Sequence, residues 1–102
     1  MTDRELLELA AKAAQIMVNP WHEKYGLLLS DFDFEPWNPL TDDGDALRLA
    51  VKLGVDIYVD DGKSEVWFTE FNHPIERFDN DPYAATRRAI VRAAAEIGKE
   101  MK

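Results

Sequence analysis

Three carboxylates stand close together in the middle of the chain, at Asp42, Asp43 and Asp45. Calcium and magnesium prefer oxygen ligands of this kind, so the cluster is a candidate cation site. It does not match a calcium-binding EF-hand loop, because the closing position, near Leu53, carries no acidic residue. All three residues also lie where a predicted helix begins, and the free N–H groups there favour negative charge. Helix capping therefore explains each carboxylate, and we predict no metal site.

A second acidic group alternates with phenylalanine along the segment before this helix. Asp31, Asp33 and Glu35 would project from one face of a strand. Such a row could hold a cation or form an acid–base pair. We favour a solvated strand edge that resists aggregation.

The remaining residues that could carry catalysis are few and isolated. His22 lacks the second histidine of a helical zinc motif, and His73 precedes a proline. Neither Ser30 nor Ser64 has the flanking glycines of a nucleophile elbow. The five glycines are scattered and form no phosphate-binding loop. We therefore predict no catalytic, cofactor-binding or metal-binding residue, no cofactor, and no enzymatic activity.

One basic patch is predicted on the last helix, at Arg87, Arg88 and Arg92. With nearby aromatic side chains, these arginines could hold a nucleotide or a phosphorylated ligand. They could equally pair with acidic residues of the same chain. The first possibility gives the alternative function, a protein that binds or sequesters nucleotides.

A hairpin is predicted over residues 55–71, turning at Asp61-Gly62, a dipeptide favoured in type I′ turns. This turn places Asp60 opposite Lys63, Ile57 opposite Val66, and Val55 opposite Phe68. One face is then apolar and predicts a core face, with Val55, Ile57, Val59, Val66 and Phe68. The other face holds the candidate interaction residues Tyr58, Trp67 and Phe71. A second element must cover these aromatics, or they form a contact surface.

Three helices must position these residues. The first is predicted over 3–17, behind the capping box of Thr2 and Glu5. The second begins after Thr41 or Asp42 and ends at Gly54, and its apolar residues predict burial on most of its surface. The third begins at Asp81-Pro82, and its inner face is predicted at Tyr83, Thr86, Ile90, Ala93, Ala94, Ile97 and Met101. Residues 19–40 are expected to wrap the core and pin it with aromatic side chains, pairing at a sheet edge.

Composition and charge restrict the class of protein. The 102 residues fit a single domain, 1–102, and 46% of them are hydrophobic. Net charge is −8, and residues 19–81 alone hold fifteen acidic and five basic side chains. We expect no nucleic-acid binding, because phosphates would be repelled. The chain has no cysteine, no apolar run near the ~20 residues of a membrane span, and no secretory segment after its charged N-terminus. We expect a cytoplasmic protein that does not bind membranes.

Two segments resemble a known family. They are residues 37–53, from Trp37-Asn38-Pro39-Leu40-Thr41-Asp42-Asp43-Gly44-Asp45 onwards, and residues 81–98, from Asp81-Pro82-Tyr83 onwards. Both are similar to stretches of the phage ABA sandwich domain family, found in small phage and prophage proteins. The resemblance covers the second helix, the hairpin and the third helix closely, and the first helix loosely. It implies a compact sandwich encoded on phage or prophage DNA and carries over no site residue.

These observations predict an α/β (α+β) fold, a two-layer or α-β-α sandwich. Three helices would pack on a small antiparallel sheet built around the 55–71 hairpin. The expected function is that of a phage or prophage accessory protein that is not an enzyme. It would bind a host or phage protein in the host cytoplasm through its acidic surface, its open sheet face, or both. A monomer and a homodimer, closed through the Trp67 face, are both compatible with the sequence.

Overall fold

The computed structural model describes residues 1–30, 34–67 and 74–101. In these ranges the chain forms three α-helices and a three-stranded antiparallel sheet, which confirms the predicted α+β class. The elements follow one another as α1 (Asp3–Ala14), α2 (Asp43–Leu53), β1 (Asp56–Asp60), β2 (Lys63–Trp67), β3 (Ile75–Arg77) and α3 (Pro82–Glu100).

Helix α3 is the central element of the fold. It packs on the sheet with one side and on α1 and α2 with the other. The layers are therefore sheet, α3, then α1 with α2, and α3 makes nearly all of the helix–sheet contact. Small side chains allow this close approach on several sides, and the buried residues of α3 are Ala85, Ala89, Ile90, Val91, Ala93, Ala94, Ala95 and Gly98. Tyr83, predicted on the inner face, is exposed instead, because it lies in the first turn, beside the edge of the sheet.

The helix boundaries follow local capping chemistry. The Thr2 hydroxyl accepts from the Glu5 N–H, and the Glu5 carboxylate accepts from the Thr2 N–H, which confirms the predicted capping box. Helix α1 ends earlier than predicted, because Gln15 adopts a left-handed conformation with φ 56°. Asp42 caps α2, and Gly54 ends it with φ 67°.

Helix α2 is less buried than its apolar sequence predicts. Only Ala46, Leu49 and Ala50 are buried, whereas Leu47 and Val51 are exposed. The prediction was wrong because α2 packs along one stripe, against α3, and no described element covers its opposite side.

The sheet has the strand order β1-β2-β3, so β1 lies at an edge. The predicted register is confirmed, with Asp60 opposite Lys63 and Ile57 opposite Val66. The pairing of Val55 with Phe68 falls outside the described residues. Gly62 has φ 76°, but Asp61 does not share a positive φ. The turn is therefore not of type I′, which needs positive φ at both positions.

The segment between α1 and α2 contributes Leu27 and Trp37 to the core. The prediction that aromatic side chains pin the core is confirmed for Trp37, whereas Tyr25 and Phe34 are exposed. Its isolated bridges join Val18 to Leu29 and Leu28 to Pro36, so in the described chain it pairs locally rather than with the sheet. The acidic row of Asp31 and Asp33 lies outside the described residues.

Candidate protein-interaction surface

An open groove of about 500 Å³ lies between β1, the start of α2 and the first half of α3. We call it the edge groove. Its lining is largely apolar, from Ala46, Leu47, Ile57, Val59, Pro82, Tyr83 and Ile90. Asp43 and Thr86 also line it. The groove is therefore an apolar concavity with a charged margin, formed by the consecutive elements α2 and β1 together with α3.

Large apolar side chains are exposed together in this groove. Leu47 is 60% exposed, Val59 56% and Tyr83 69%, and Ile57 is 37% exposed. Such residues are ordinary when scattered singly, but a contiguous group is typical of a binding surface.

The predicted core face of the hairpin is thus only partly buried. Val66 is fully buried and Val55 packs against the core, but Ile57 and Val59 are not covered. The reason is that α3 lies mainly over β2 and β3 and leaves β1 beyond its edge.

Thr86, which lines the groove, takes part in a short chain of hydrogen bonds. Thr86 Oγ1 donates to the carbonyl of Pro82 at 2.7 Å. The Ser64 hydroxyl, which is fully buried, lies 2.7 Å from the same Thr86 oxygen and must be the donor in that contact. The hydroxyl protons of Ser64 and Thr86 therefore both have acceptors within the protein, and neither needs a polar partner from outside.

The outer edge of β1 presents backbone groups to solvent. The Val66 N–H donates to a carbonyl just before β3, at 3.1 Å. Because backbone groups alternate along a strand, those of Glu65 face β1, where Tyr58 is in register. By the same alternation, the N–H and C=O groups of Ile57 and Val59 point away from the sheet. No other strand of the described ranges pairs with them.

The open face of the sheet carries two of the predicted interaction residues. Tyr58 and Trp67 line a shallow depression of about 310 Å³ with Asp56 and Glu65. Trp67 Nε1 donates to Glu65 Oε2 at 3.0 Å, which fixes the indole on this face. The described helices lie on the opposite face. Phe71, the third aromatic of this predicted surface, lies outside the described residues.

The three arginines of α3 are each bound to a carboxylate of the same chain. Arg87 pairs with Asp43 at 2.6 Å and donates to the Leu40 carbonyl at 2.8 Å. Arg88 pairs with Asp3 at 3.2 Å. These contacts tie α3 to α2 and to α1.

Arg92 completes the set by pairing with Glu76 of β3, and it also donates to the Ile75 carbonyl at 3.1 Å. Arg88 and Arg92 line a cavity of about 320 Å³, but Glu76 and Glu96 line it too. An anion in this cavity would meet two carboxylates as well as two guanidinium groups. The geometry therefore favours pairing within the chain over a nucleotide site.

The other candidate chemistry finds no assembled site in the described residues. His22 Nδ1 accepts from the N–H groups of Lys24 and Tyr25, at 3.0 and 3.1 Å, so it caps a local turn. His73 falls outside the described ranges. Within those ranges, no three acidic, histidine or cysteine side chains are grouped so as to hold a metal ion. None of the described helices has the length and apolar character to cross a membrane.

The aspartates of the opening cluster act locally. Asp42 Oδ1 accepts from the Asp45 N–H at 2.9 Å. Asp45 Oδ2 accepts from the Asn38 N–H at 3.0 Å, and Asp45 Oδ1 pairs with Arg48 at 2.8 Å. Together with the Asp43–Arg87 pair, these bonds occupy each carboxylate in fastening α2.

Comparisons of the chain with protein-family models, with curated proteins and with solved structures give no match. The resemblance of residues 37–53 and 81–98 to a phage family accordingly stays a prediction from the sequence. Sequence reasoning missed the edge groove, although one signal was present: α2 carries more apolar residues than a single packed stripe can bury.

Proposed function

We propose that this chain is a non-enzymatic protein-binding module, and that the edge groove with the adjoining edge of β1 is its binding surface. The observation that carries the proposal is the joint exposure of Leu47, Ile57, Val59 and Tyr83 around one concavity. Burying apolar area of this kind is the main favourable term in protein association. A protein partner is favoured over a small molecule because the groove is open and continues into the outer edge of β1, with which no strand of the described residues pairs.

The acidic surface has a place in this proposal. Asp43, which is paired with Arg87, lines the groove, and Asp56 and Asp60 lie on the opposite face of β1. Rim charges contribute more to association rate and partner choice than to affinity. The proposed partner therefore carries an apolar contact surface bordered by basic residues.

The proposed setting is a phage or prophage accessory protein that acts in the cytoplasm of the host cell on a host or phage protein. The support for this setting is the resemblance of residues 37–53 and 81–98 to the phage ABA sandwich domain family. The proposed binding surface does not depend on that setting, since it rests on exposed residues of the structure.

The test compares two substitutions on the same helix. Leu47 lines the groove, whereas Val51, one turn later, is 71% exposed and lies outside it. Immobilised wild type, Leu47→Asp and Val51→Asp would each be incubated with host lysate, after circular dichroism shows equal folding. We expect wild type and Val51→Asp to retain the same partner and Leu47→Asp to lose it. A partner retained by Leu47→Asp, or no specific partner for wild type, contradicts the proposal.

A further inference from the structure

We propose that the partner binds by strand addition: an extended segment with alternating apolar and basic residues pairs antiparallel with the outer edge of β1. This inference rests on the proposed function and specifies the partner's chemistry and its mode of binding. Three observations carry it, namely the backbone groups at the edge, the apolar groove on one side of β1, and the aspartates on the other.

The first observation is that β1 is exposed along its whole length, from Asp56 to Asp60. Its neighbour β2 occupies one edge only, and the N–H and C=O groups of Ile57 and Val59 point to the other. An added strand would satisfy these four groups with backbone hydrogen bonds, which is how extended peptides bind to sheet edges.

The second observation fixes what the groove side of the added strand must be. In antiparallel pairing, a residue directly opposite Ile57 or Val59 lies on the same sheet face as they do. On that face the edge groove is lined by Leu47 and Tyr83. Alternate residues of the added strand are therefore apolar, and each would cover side chains that are now exposed.

The third observation fixes the remaining positions. Asp56, Tyr58 and Asp60 alternate on the open face of β1, with like charges at both ends of the strand. The residues of an added strand that lie opposite Asp56 and Asp60 stand beside these two carboxylates. Opposite charges across a strand pair are favourable and like charges are unfavourable. The intervening residues are thus lysine or arginine.

The same charges disfavour a second copy of this chain as the occupant. The antiparallel pairing with the greatest overlap of two β1 strands centres on Tyr58. It places Asp56 of each copy opposite Asp60 of the other, and each chain carries a net charge of −8. A basic segment meets neither obstacle.

The probe is a short synthetic peptide in which lysine and valine alternate, added to the isotope-labelled full chain. We expect chemical-shift changes at Ile57, Val59 and Leu47. We also expect amide hydrogen exchange at Ile57 and Val59 to slow by at least about tenfold at saturation, since those amides become hydrogen-bonded. Absence of binding at millimolar peptide overturns the proposal, as does binding that leaves the exchange of both amides unchanged.

Three altered peptides separate strand addition from other modes. N-methylation of the valines removes the N–H groups that face β1, and is expected to weaken binding by at least about tenfold. N-methylation of the lysines, whose N–H groups face away, is the matched control. A third peptide has the same composition at helical spacing, and we expect it to bind weakly. If it binds as tightly as the alternating peptide, the groove takes a helix and strand addition is wrong.

Charge reversal on the protein tests the basic positions. Asp56→Lys should lower the affinity for the lysine–valine peptide by about tenfold or more and raise the affinity for a glutamate–valine peptide. Glu23→Lys, on an exposed loop, makes the same change in net charge and should alter neither. If Asp56→Lys and Glu23→Lys changed peptide affinity equally, net charge alone would explain the binding. The proposal that basic residues lie opposite Asp56 would then be wrong. Light scattering on the free chain tests whether a second copy of the chain occupies the β1 edge instead. A dimer in which the Ile57 and Val59 amides are protected from exchange would also overturn the proposal.

The outcomes for the two proposals can be told apart. If Leu47→Asp loses a lysate partner but no peptide protects the β1 edge, the groove binds proteins by another mode. If Leu47→Asp retains the partner while the alternating peptide still binds β1 as described, the strand edge is a site and the natural partner binds elsewhere.

Discussion

Gly98 of α3 lies directly against the backbone of Leu9 in α1. A Cβ atom placed on Gly98 would stand 2.2 Å from the Leu9 carbonyl oxygen and 3.0 Å from its carbon. The two helices therefore approach each other closely at this point, and Ala10 of α1 and Ala94 of α3 are fully buried in the same core. This contact holds α1 on the central helix.

Gly98→Ala is expected to lower the free energy of unfolding by about 1–3 kcal/mol, because the helices must separate to admit a methyl group. The gain in helix propensity, about 1 kcal/mol, only partly offsets this cost. Urea unfolding measures the difference. Lys99→Ala, on the exposed neighbouring residue, is the control and should stay within about 0.5 kcal/mol of wild type. A Gly98→Ala variant as stable as wild type would contradict the close approach.

The buried hydroxyl of Ser64 allows a double-mutant cycle. Thr86→Val removes the acceptor of the Ser64 proton and should lower the free energy of unfolding by about 1–3 kcal/mol. Ser64→Ala leaves Thr86 bonded to the Pro82 carbonyl and should cost less. In the Ser64→Ala background, Thr86→Val should therefore be less destabilising than in wild type. Additive effects in urea unfolding would show that the two hydroxyl groups are not coupled.

Features set by neighbours in sequence were predictable. Helix caps at Thr2 and Asp81 and the left-handed end at Gly54 depend on side chains within a few residues, and all are confirmed. For α2 the sequence left Thr41 and Asp42 open, and the cap is Asp42. The hairpin register follows from a two-residue turn, so Ile57 opposite Val66 could also be predicted. The turn type could not, because Asp61-Gly62 is compatible with more than one geometry.

Features set by packing order were not predictable from the sequence. The apolar residues of α2 and of β1 indicated burial, but burial depends on which helix lies over which strand. Alanines on several sides of α3 let it occupy the centre, and Leu47 and Val59 were left beyond its reach. Both residues fit the apolar pattern of their helix or strand. They are exposed only because of the order in which the helices and the sheet pack.

The candidate site shows the same division. Strand alternation placed Tyr58 and Trp67 on one face, as the structure has them. The partners of the arginines could not be assigned, since Asp43 is 44 residues from Arg87 in sequence. Any of the many carboxylates could have paired with it, so a nucleotide site and internal pairing were both open.

Asp45 fastens the loop before α2 to the helix, and this role can be separated from its ion pair. Asp45→Ala leaves the partly buried Asn38 N–H without its acceptor and should lower the free energy of unfolding by about 1–3 kcal/mol. Arg48→Ala removes only the exposed ion pair with Asp45 and should change the free energy of unfolding by less than about 0.5 kcal/mol. Thermal and urea unfolding of both variants measure the difference. Equal losses would mean that the ion pair, rather than the backbone bond, is what stabilises the loop.

The capping box at the start of α1 predicts a pH dependence. The Thr2 backbone N–H and then the Thr2 hydroxyl donate to the Glu5 carboxylate and hold the pKa of that carboxyl below its ordinary value, with a further contribution from the N-terminal charge. A lowered folded-state pKa stabilises the fold fully above the unfolded pKa, and this stabilisation is lost as pH falls through the folded-state pKa. Thr2→Ala removes the hydroxyl bond and should raise the pKa of Glu5 part of the way towards its ordinary value. Thr2→Ser keeps the hydroxyl and should leave that pKa low. Carbon-detected NMR titration of the Glu5 carboxyl measures both, and the same low pKa in Thr2→Ala as in wild type would exclude the hydroxyl as a cause.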